Sequence, residues 1–226
     1  MKLKWHLLSA FLIGIVSLIG FSFIAILISA QKIVRFDQTL ISFVRGFESQ
    51  TLTSIMKFFT FIGSFPVVLV LFLIVSFILY SVLRSRAEVL LLGTVIIGTQ
   101  VINQGLKMFF HRARPDFHLL IDVGGYSFPS GHAMSAFAVY GILTFIFWRH
   151  IPNRFGRTTI VLLSSIFILI IGISRIYLGV HYPSDIIGGY FASAVWLTVA
   201  IWFFQRYKEK QYKKVAYRNK RFVGYL

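Results

Sequence analysis

Residues 7–30 read LLSAFLIGIVSLIGFSFIAILISA, a run of 24 positions without a charged side chain. About 20 apolar residues are enough for a helix to cross a bilayer, so this run predicts a transmembrane helix. The small residues Ser29 and Ala30 would suit signal-peptide cleavage, but the apolar region of a signal peptide has only about 7–15 residues. We therefore interpret residues 7–30 as a retained membrane anchor.

The rest of the chain has the same character. Of its 226 residues, 57% are hydrophobic and 13% are charged, whereas soluble domains have about 25% charged residues. Five further apolar segments predict spans at 66–83, 87–110, 131–148, 158–173 and 184–204. The expected fold is all-α, a polytopic membrane bundle of six transmembrane helices that forms a single domain over residues 1–226. The sequence has no cysteine, which excludes disulfides and thiolate chemistry.

Residues 36–62 have a different pattern from the spans. Polar residues interrupt the segment, and residues 48–51 divide its apolar positions into two sets with helical spacing. The sets are Phe36, Leu40, Val44 and Phe47, then Leu52, Ile55, Met56, Phe59 and Ile62. This pattern predicts two short amphipathic helices at the membrane surface, and packing against neighbouring spans would explain it equally well. A role of these helices in lipid access stays open.

The basic residues are distributed unevenly between the two ends of the predicted bundle. Six spans place both termini on one side, and that side carries 15 of the 23 Lys and Arg residues, including a basic tail at 205–226. The positive-inside rule therefore predicts cytoplasmic termini. The tail is expected to attract anionic lipid headgroups, so the net charge of +16 does not indicate nucleic-acid binding.

The alternating direction of the spans brings polar residues together at the outer face. Charged groups at membrane depth are costly and commonly functional. The third and fifth spans end there, and the fourth and sixth begin there. The residues at these four ends are Lys107, Ser130, His132, Arg175, His181 and Asp185. We expect them to form one site.

Three cations in this region suit an anion that carries more than one charge. A phosphate monoester carries about −1.5 to −2 charges at neutral pH. Arg114 and Arg175 can fork onto phosphate oxygens, and Lys107 can act as a point charge. Ser130 is a natural N-cap, and the free N–H groups that follow it, from Gly131 onward, form an anion site with the positive end of the helix dipole.

The remaining side chains suit nucleophilic and acid–base catalysis. His181 and Asp185 are four residues apart, so on a helix they share one face. Asp185 could accept a proton from one ring nitrogen of His181 and leave the other nitrogen free as a nucleophile. His132 is then left to protonate the departing oxygen.

Other interpretations of these residues stay open at this point. Two histidines and a carboxylate can ligate a metal, although the three neighbouring cations would repel one. A transporter or sensor of anionic lipid headgroups would also need the cations, but it would not need a histidine–carboxylate pair with an acid opposite it. A purely structural role fits each residue alone and does not fit the set.

Three segments resemble, in order and spacing, the signature motifs of the type 2 phosphatidic acid phosphatases, also called lipid phosphate phosphatases. They are Lys107-x6-Arg114-Pro115, Pro129-Ser-Gly-His132 and Ser174-Arg175-x5-His181-x3-Asp185. Every motif position is matched. The six predicted spans agree with the membrane branch of this family, whereas the related vanadium haloperoxidases are soluble.

The resemblance implies a role for each matched residue. His181 would be a nucleophile that forms a phosphohistidine, Asp185 would orient it, and His132 would be the general acid. The residues implied to hold the phosphate are Lys107, Arg114, Ser130, Gly131 and Arg175. The family needs no metal or other cofactor. The expected substrate is a lipid phosphate or diphosphate, such as phosphatidylglycerophosphate, undecaprenyl diphosphate or phosphatidic acid, and its headgroup would be hydrolysed at the outer membrane surface.

Overall fold

A computed structural model describes the backbone of residues 2–116 and 119–223, and the side chains of residue 8, residues 10–116 and residues 119–214. His118, in the segment between the third and fourth predicted spans, lies outside the described residues. The side chains of Lys2 and Lys4 and of the last three basic tail residues also lie outside them. Within these limits the chain consists of helices and loops, with no strand.

The helices are α1 (Lys2–Ser29), α2 (Val34–Arg45), α3 (Gln50–Ile62), α4 (Phe65–Phe77), α5 (Arg86–Phe110), α6 (Gly131–His150), α7 (Arg154–Tyr177) and α8 (Pro183–Val223). A π-helical segment, Ile78–Val82, continues α4. In the described part of the chain, six helices are long and apolar enough to cross a membrane. The segments are Ala10–Ser29, Phe65–Val82, Arg86–Phe110, Gly131–His150, Arg154–Tyr177 and Pro183–Lys214. The predicted all-α fold with six spans is confirmed.

Several helices extend beyond the predicted spans, α7 and α8 among them. The helix α7 begins at Arg154 because Asn153 caps it, with its side chain accepting from the Gly156 amide at 2.6 Å. The helix α8 continues without a break into the basic tail, which hydropathy alone did not predict to be helical. Outside the apolar region its helix is supported by charge pairs one turn apart, such as Lys213 with Glu209 at 2.7 Å.

The core lies between α4, α5, α6 and α8. Its most completely buried members include Leu92, Val95, Ile142 and Ile146. The opposite faces of α4, α5 and α8 carry exposed apolar side chains, as expected where lipid replaces water. The helix α1 packs along α8, and its Gly14 lies against Thr198. Small residues at such contacts allow two membrane helices to approach closely.

The α5–α6 pair is also fixed at the end of the bundle remote from the predicted site. The buried carboxylate of Glu88, in the first turn of α5, lies 2.9 Å from Nε2 of His150 at the end of α6. Arg149 lies 3.7 Å from the other carboxylate oxygen. Because an unpaired charge is costly to bury, these contacts hold the two helix ends together.

The helices α2 and α3 are the two short helices predicted from residues 36–62. They pack against α7 and α8 and expose apolar side chains such as Phe43 and Phe58. Ser49 caps α3 by accepting from the Leu52 amide at 3.3 Å. The hydroxyl of Tyr177, at the end of α7, donates to the Ser49 carbonyl at 3.2 Å and so ties α3 to this span.

Candidate active site

Four helix ends meet at one end of the bundle, as the alternating spans predicted. Lys107 lies in the last turn of α5, and Arg175 lies in the last turn of α7. Ser130 is the N-cap of α6, and Asp185 lies in the first turn of α8. The structure therefore brings residues from distant parts of the sequence to one place, and the loops between these helices add Arg114 and His181.

His181 and Asp185 form a buried pair at the centre of this place. His181 is 2% exposed and Asp185 is fully buried. Nδ1 of His181 lies 3.3 Å from Oδ2 of Asp185, and the same oxygen accepts from the Tyr182 amide at 2.9 Å. The other carboxylate oxygen accepts from Arg112 at 2.7 Å. The carboxylate is thus fixed by two groups besides the histidine.

The second ring nitrogen of His181 faces Arg114. Its Nε2 atom lies 3.3 Å from Nη1 of Arg114. The guanidinium is a donor only, so Nε2 is the acceptor in this contact. Nδ1 then carries the proton and donates to Asp185. The lone pair on Nε2 therefore points towards Arg114 and away from Asp185.

The surroundings of His181 keep its ring neutral. Burial lowers the pKa of His181 well below its usual value of 6.5, and the charges of Arg175, Arg114 and Lys107 lower it further. A hydrogen bond with the Ser127 backbone acts in the opposite direction and is outweighed. A neutral imidazole at physiological pH is the form in which a histidine can attack an electrophile.

Arg114 is held by backbone carbonyls on both sides of its guanidinium. Its Nε donates to Gly125 at 3.0 Å and its Nη2 to Gly124 at 3.0 Å, while Nη1 donates to Val180 at 2.8 Å. Burial lowers the pKa of Arg114, and the charge of Asp185 opposes this effect. The loop thus places one fixed cation directly beside the histidine.

The start of α6 supplies backbone donors. Ser130 Oγ accepts from the Ala133 amide at 3.4 Å, and the Ser130 amide donates to the Asp185 carbonyl at 3.1 Å. Asn103 of α5 donates to the Pro129 carbonyl at 3.1 Å. A Cβ atom at Gly131 would lie 3.0 Å from Oδ1 of Asn103, so a side chain there would press on this contact. The first N–H groups of α6 are held in place at the positive end of the helix dipole.

Two more cations complete the positive surroundings. Arg175 is buried and donates from Nη1 to Thr60 Oγ1 at 2.6 Å, but its buried Nε has no hydrogen-bond partner. Lys107 donates to the Tyr126 carbonyl. Since buried donors normally have partners, the Nε atom of Arg175 is a donor available to an anion.

His132 lies in the first turn of α6, where the end of α3 backs its ring. A Cβ atom at Gly63 would lie 3.4 Å from Cδ2 of His132 and 2.7 Å from Cγ2 of Ile171. Only a residue without a side chain fits between them. The α3–α4 junction therefore forms part of the wall of this site, which the sequence pattern of residues 36–62 did not indicate.

Several residues that shape the site were not predicted from the sequence. They are Asp37, Thr60, Asn103, Arg112 and Ser127. Arg112 lies between the motif residues Lys107 and Arg114, and this position was the only indication in the sequence that it could belong to the site. Asp37 is one of the polar residues that interrupt the apolar pattern of residues 36–62, where an acidic side chain is ordinarily solvated. Its burial depends on contacts from distant parts of the chain.

The arrangement suits an anion better than a cation. Among the side chains that the structure describes, those of residue 8, residues 10–116 and residues 119–214, no three of His, Asp or Glu are grouped so that they could hold one metal ion. The charges that act on His181 are instead those of Arg175, Arg114 and Lys107, and Arg114 contacts the ring directly. Such donors stabilise negative charge on a tetrahedral or trigonal-bipyramidal oxyanion.

Comparisons with known proteins identify the family of the chain. The sequence matches the PAP2 superfamily over residues 88–209. It is 32% identical over 141 residues to phosphatidylglycerophosphatase B of Bacillus subtilis, covering 62% of this chain and 68% of the relative. It is 32% identical over 145 residues to undecaprenyl-diphosphatase BcrC of the same organism, with the same two coverages of 62% and 68%.

The fold is also similar to a solved structure. That structure is a transmembrane PAP2-type phosphatidylglycerolphosphate phosphatase from Bacillus subtilis, with a TM-score of 0.80 and 25% sequence identity. The likeness covers 85% of this chain and 96% of the other. The resemblance drawn from the three motifs is confirmed: this six-span chain belongs to the PAP2 superfamily.

Proposed function

We propose that this protein is a metal-independent phosphatase that hydrolyses a lipid phosphate or diphosphate through a phosphohistidine. One observation carries the proposal: the buried His181 has Asp185 at one ring nitrogen and Arg114 at the other. A carrier or sensor of anionic headgroups would need the cations, but it would gain nothing from this orientation of a histidine.

In the first step, Nε2 of His181 attacks the phosphorus atom. The N–P bond forms as the bond from phosphorus to the leaving oxygen breaks, and His132 transfers a proton to that oxygen. Asp185 stabilises the positive charge that develops on the imidazole. The leaving group is the lipid alcohol for a monoester and the lipid monophosphate for a diphosphate.

In the second step, water releases the phosphate. His132, now neutral, accepts a proton from the attacking water, the N–P bond breaks, and inorganic phosphate and free His181 remain. Through both steps the phosphate oxygens would be held by Lys107, Arg114, Arg175 and the backbone donors after Ser130. These donors stabilise the additional charge of the transition state.

The membrane arrangement belongs to the same proposal. Residues 1–226 would form one integral-membrane phosphatase domain with cytoplasmic termini, supported by the bias of basic residues toward the terminal side. The candidate site would face the outer surface, where the lipid tail stays in the bilayer. Phosphatidylglycerophosphate and undecaprenyl diphosphate, named by the two relatives, are the preferred candidates, with phosphatidic acid as a third.

The test is phosphate release from these three lipids by purified protein in detergent. We expect release from at least one lipid by the wild type, in the presence of excess chelator, and none by His181→Ala. The matched control is His150→Gln, at the opposite end of the bundle, where glutamine can still donate to Glu88. Binding without turnover of any of the three lipids would favour the carrier or sensor. Loss of turnover in chelator, restored by a divalent ion, would contradict metal independence.

A further inference from the structure

Asp37, in the first turn of α2, is a buried acid that the proposed reaction does not use. It is 1% exposed, although α2 is a short helix outside the six spans. Its Oδ1 accepts from the Ser184 amide at 2.9 Å. Its Oδ2 accepts from Ser184 Oγ at 2.7 Å and from Arg112 Nη2 at 2.8 Å. Two of these contacts are made with Ser184 at the start of α8. The third is made with Arg112, which in turn contacts Asp185, the partner of His181.

The first of these contacts caps α8 from another helix. The first N–H groups of a helix have no partner within it. Pro183 begins α8, and the next amide, that of Ser184, donates to Asp37. A negative charge at this end also suits the helix dipole. The helix α2 thus fixes the turn of α8 that carries Asp185.

The second contact passes through Arg112. Its Nη1 donates to Asp185 Oδ1 at 2.7 Å and to Ser184 Oγ at 2.8 Å, while its Nη2 is held by Asp37. The guanidinium also lies 4.1 Å above the centre of the Tyr182 ring. Arg112 is only two residues from Arg114, but its Nη1 and Nη2 are taken up by Ser184, Asp185 and Asp37.

Arg112 determines which oxygen of Asp185 is available to the histidine. With Oδ1 taken by Arg112, Oδ2 is left for the Tyr182 amide and Nδ1 of His181. We infer that Asp37 and Arg112 are positioning residues for the hydrolysis, because together they hold Asp185 with Oδ2 towards His181. The inference rests on the proposed phosphohistidine mechanism. Asp37 of α2 is thus connected to His181 through the side chains of Arg112 and Asp185.

A positioning role and a purely structural role predict different kinetics. If the pair orients His181 through Asp185, its loss misaligns the attacking nitrogen and lowers kcat, while the cations that bind phosphate stay in place and KM is kept. If the pair only stabilises the fold, the protein that remains folded should turn over at the wild-type rate.

The experiment compares Asp37→Asn, Arg112→Lys and the double variant in detergent-purified protein. Asparagine removes the charge and keeps an oxygen for the Ser184 amide. Lysine keeps the charge but lacks the fork that bridges two carboxylates. The control is Asp122→Asn, which removes the same charge from an exposed position of the loop before α6. Folded protein is quantified by gel filtration and thermal unfolding before kcat and KM for phosphate release are measured.

We expect each single variant to lower kcat by about tenfold or more with KM within about twofold of wild type. The control variant Asp122→Asn should have the kcat and KM of the wild type. Because both residues act through Asp185, the double variant should be no worse than the worse single variant. A kcat within twofold of wild type in the folded single variants would overturn the inference, and so would losses that multiply in the double variant.

Folding failures also give an answer. If Asp37→Asn does not stay folded, Arg112→Lys carries the test. If neither variant folds, the pair is a structural contact and the inference is wrong. Absence of phosphate release by the wild type would overturn the proposed function and this inference with it, whereas an active wild type with unimpaired variants overturns the inference alone.

Discussion

Nδ1 of His181 lies 3.3 Å from Oδ2 of Asp185, and both side chains are shielded from solvent. The carboxylate is held at this distance by the Tyr182 amide and by Arg112. A fixed carboxylate determines which ring nitrogen carries the proton, so the reactivity of Nε2 depends on Asp185.

We therefore expect Asp185→Asn to lower kcat by roughly 10²–10⁴-fold, the range seen when a positioned acid–base partner is lost. Asparagine has nearly the same shape but presents an amide that no longer stabilises a positive imidazole. KM should change little because the phosphate-binding cations are untouched. Steady-state phosphate release measures both constants, and a variant with unchanged kcat would show that His181 does not depend on this contact.

The pH dependence of kcat/KM should reflect the charges around His181. Burial, then Arg175, Arg114 and Lys107, lower the pKa of His181. The imidazole therefore stays neutral as pH falls, and activity should be lost only below the usual histidine pKa, when the nucleophile becomes protonated. Removing one cation should raise this pKa and move the acidic limb of the profile to higher pH.

Arg114→Gln tests this direction, and Arg114→Lys is its control because it keeps the charge. The residual kcat/KM of each variant is measured against pH with one substrate, so that titration of the substrate phosphate is the same in both. An acidic limb that moves to lower pH in the glutamine variant, or moves equally in both variants, would contradict the electrostatic explanation.

The contact between α3 and His132 predicts a steric effect. Gly63→Ala places a methyl group 2.7 Å from Cγ2 of Ile171 and 3.4 Å from His132. Since a displacement of about 1 Å can cost up to 10²-fold in rate, we expect kcat to fall at least tenfold. Adding Ile171→Ala creates space and should restore much of the activity.

The control for this prediction is Gly105→Ala. Gly105 lies within α5, and a methyl group there would meet nothing within 4 Å. This variant should keep wild-type kcat and thermal stability. Equal kcat in Gly63→Ala and wild type would show that His132 does not rely on the α3–α4 junction.

The proposed orientation can be tested on a background without native thiols, because the sequence has no cysteine. Asp122→Cys lies in the loop before α6, and Tyr212→Cys lies on the exposed surface of the α8 extension. With cytoplasmic termini, a membrane-impermeant maleimide should label only the first in intact cells and both after lysis. The reverse pattern would invert the topology.

The sequence alone predicted the part of the site that follows from order and spacing. Lys107, Arg175 and Asp185 lie near helix ends, and alternating spans place such ends at one side of a bundle, so their meeting did not require knowledge of packing. Ser130 carries its own local signal as an N-cap. Both the positions near helix ends and the N-cap can be identified from short segments of sequence and from the order of the spans.

The supporting contacts could not be predicted in the same way. Asp37 and Thr60 lie on short amphipathic helices, where the helical pattern shows which face is polar but not which partner that face meets. The structure places Asp37 against Arg112 and Ser184, and Thr60 against Arg175. Such pairs depend on how α2 and α3 dock on the spans, which propensity and hydropathy do not encode.

The most direct test of the account is to trap the phosphorylated enzyme. Wild-type protein mixed with substrate labelled in its terminal phosphate, quenched with alkali within one turnover and digested, should carry label on the peptide that contains His181. The bond should be stable to alkali and labile to acid, as expected for a phosphohistidine. Labelling of His132 or of any other residue in its place, or turnover by His181→Ala, would contradict the account.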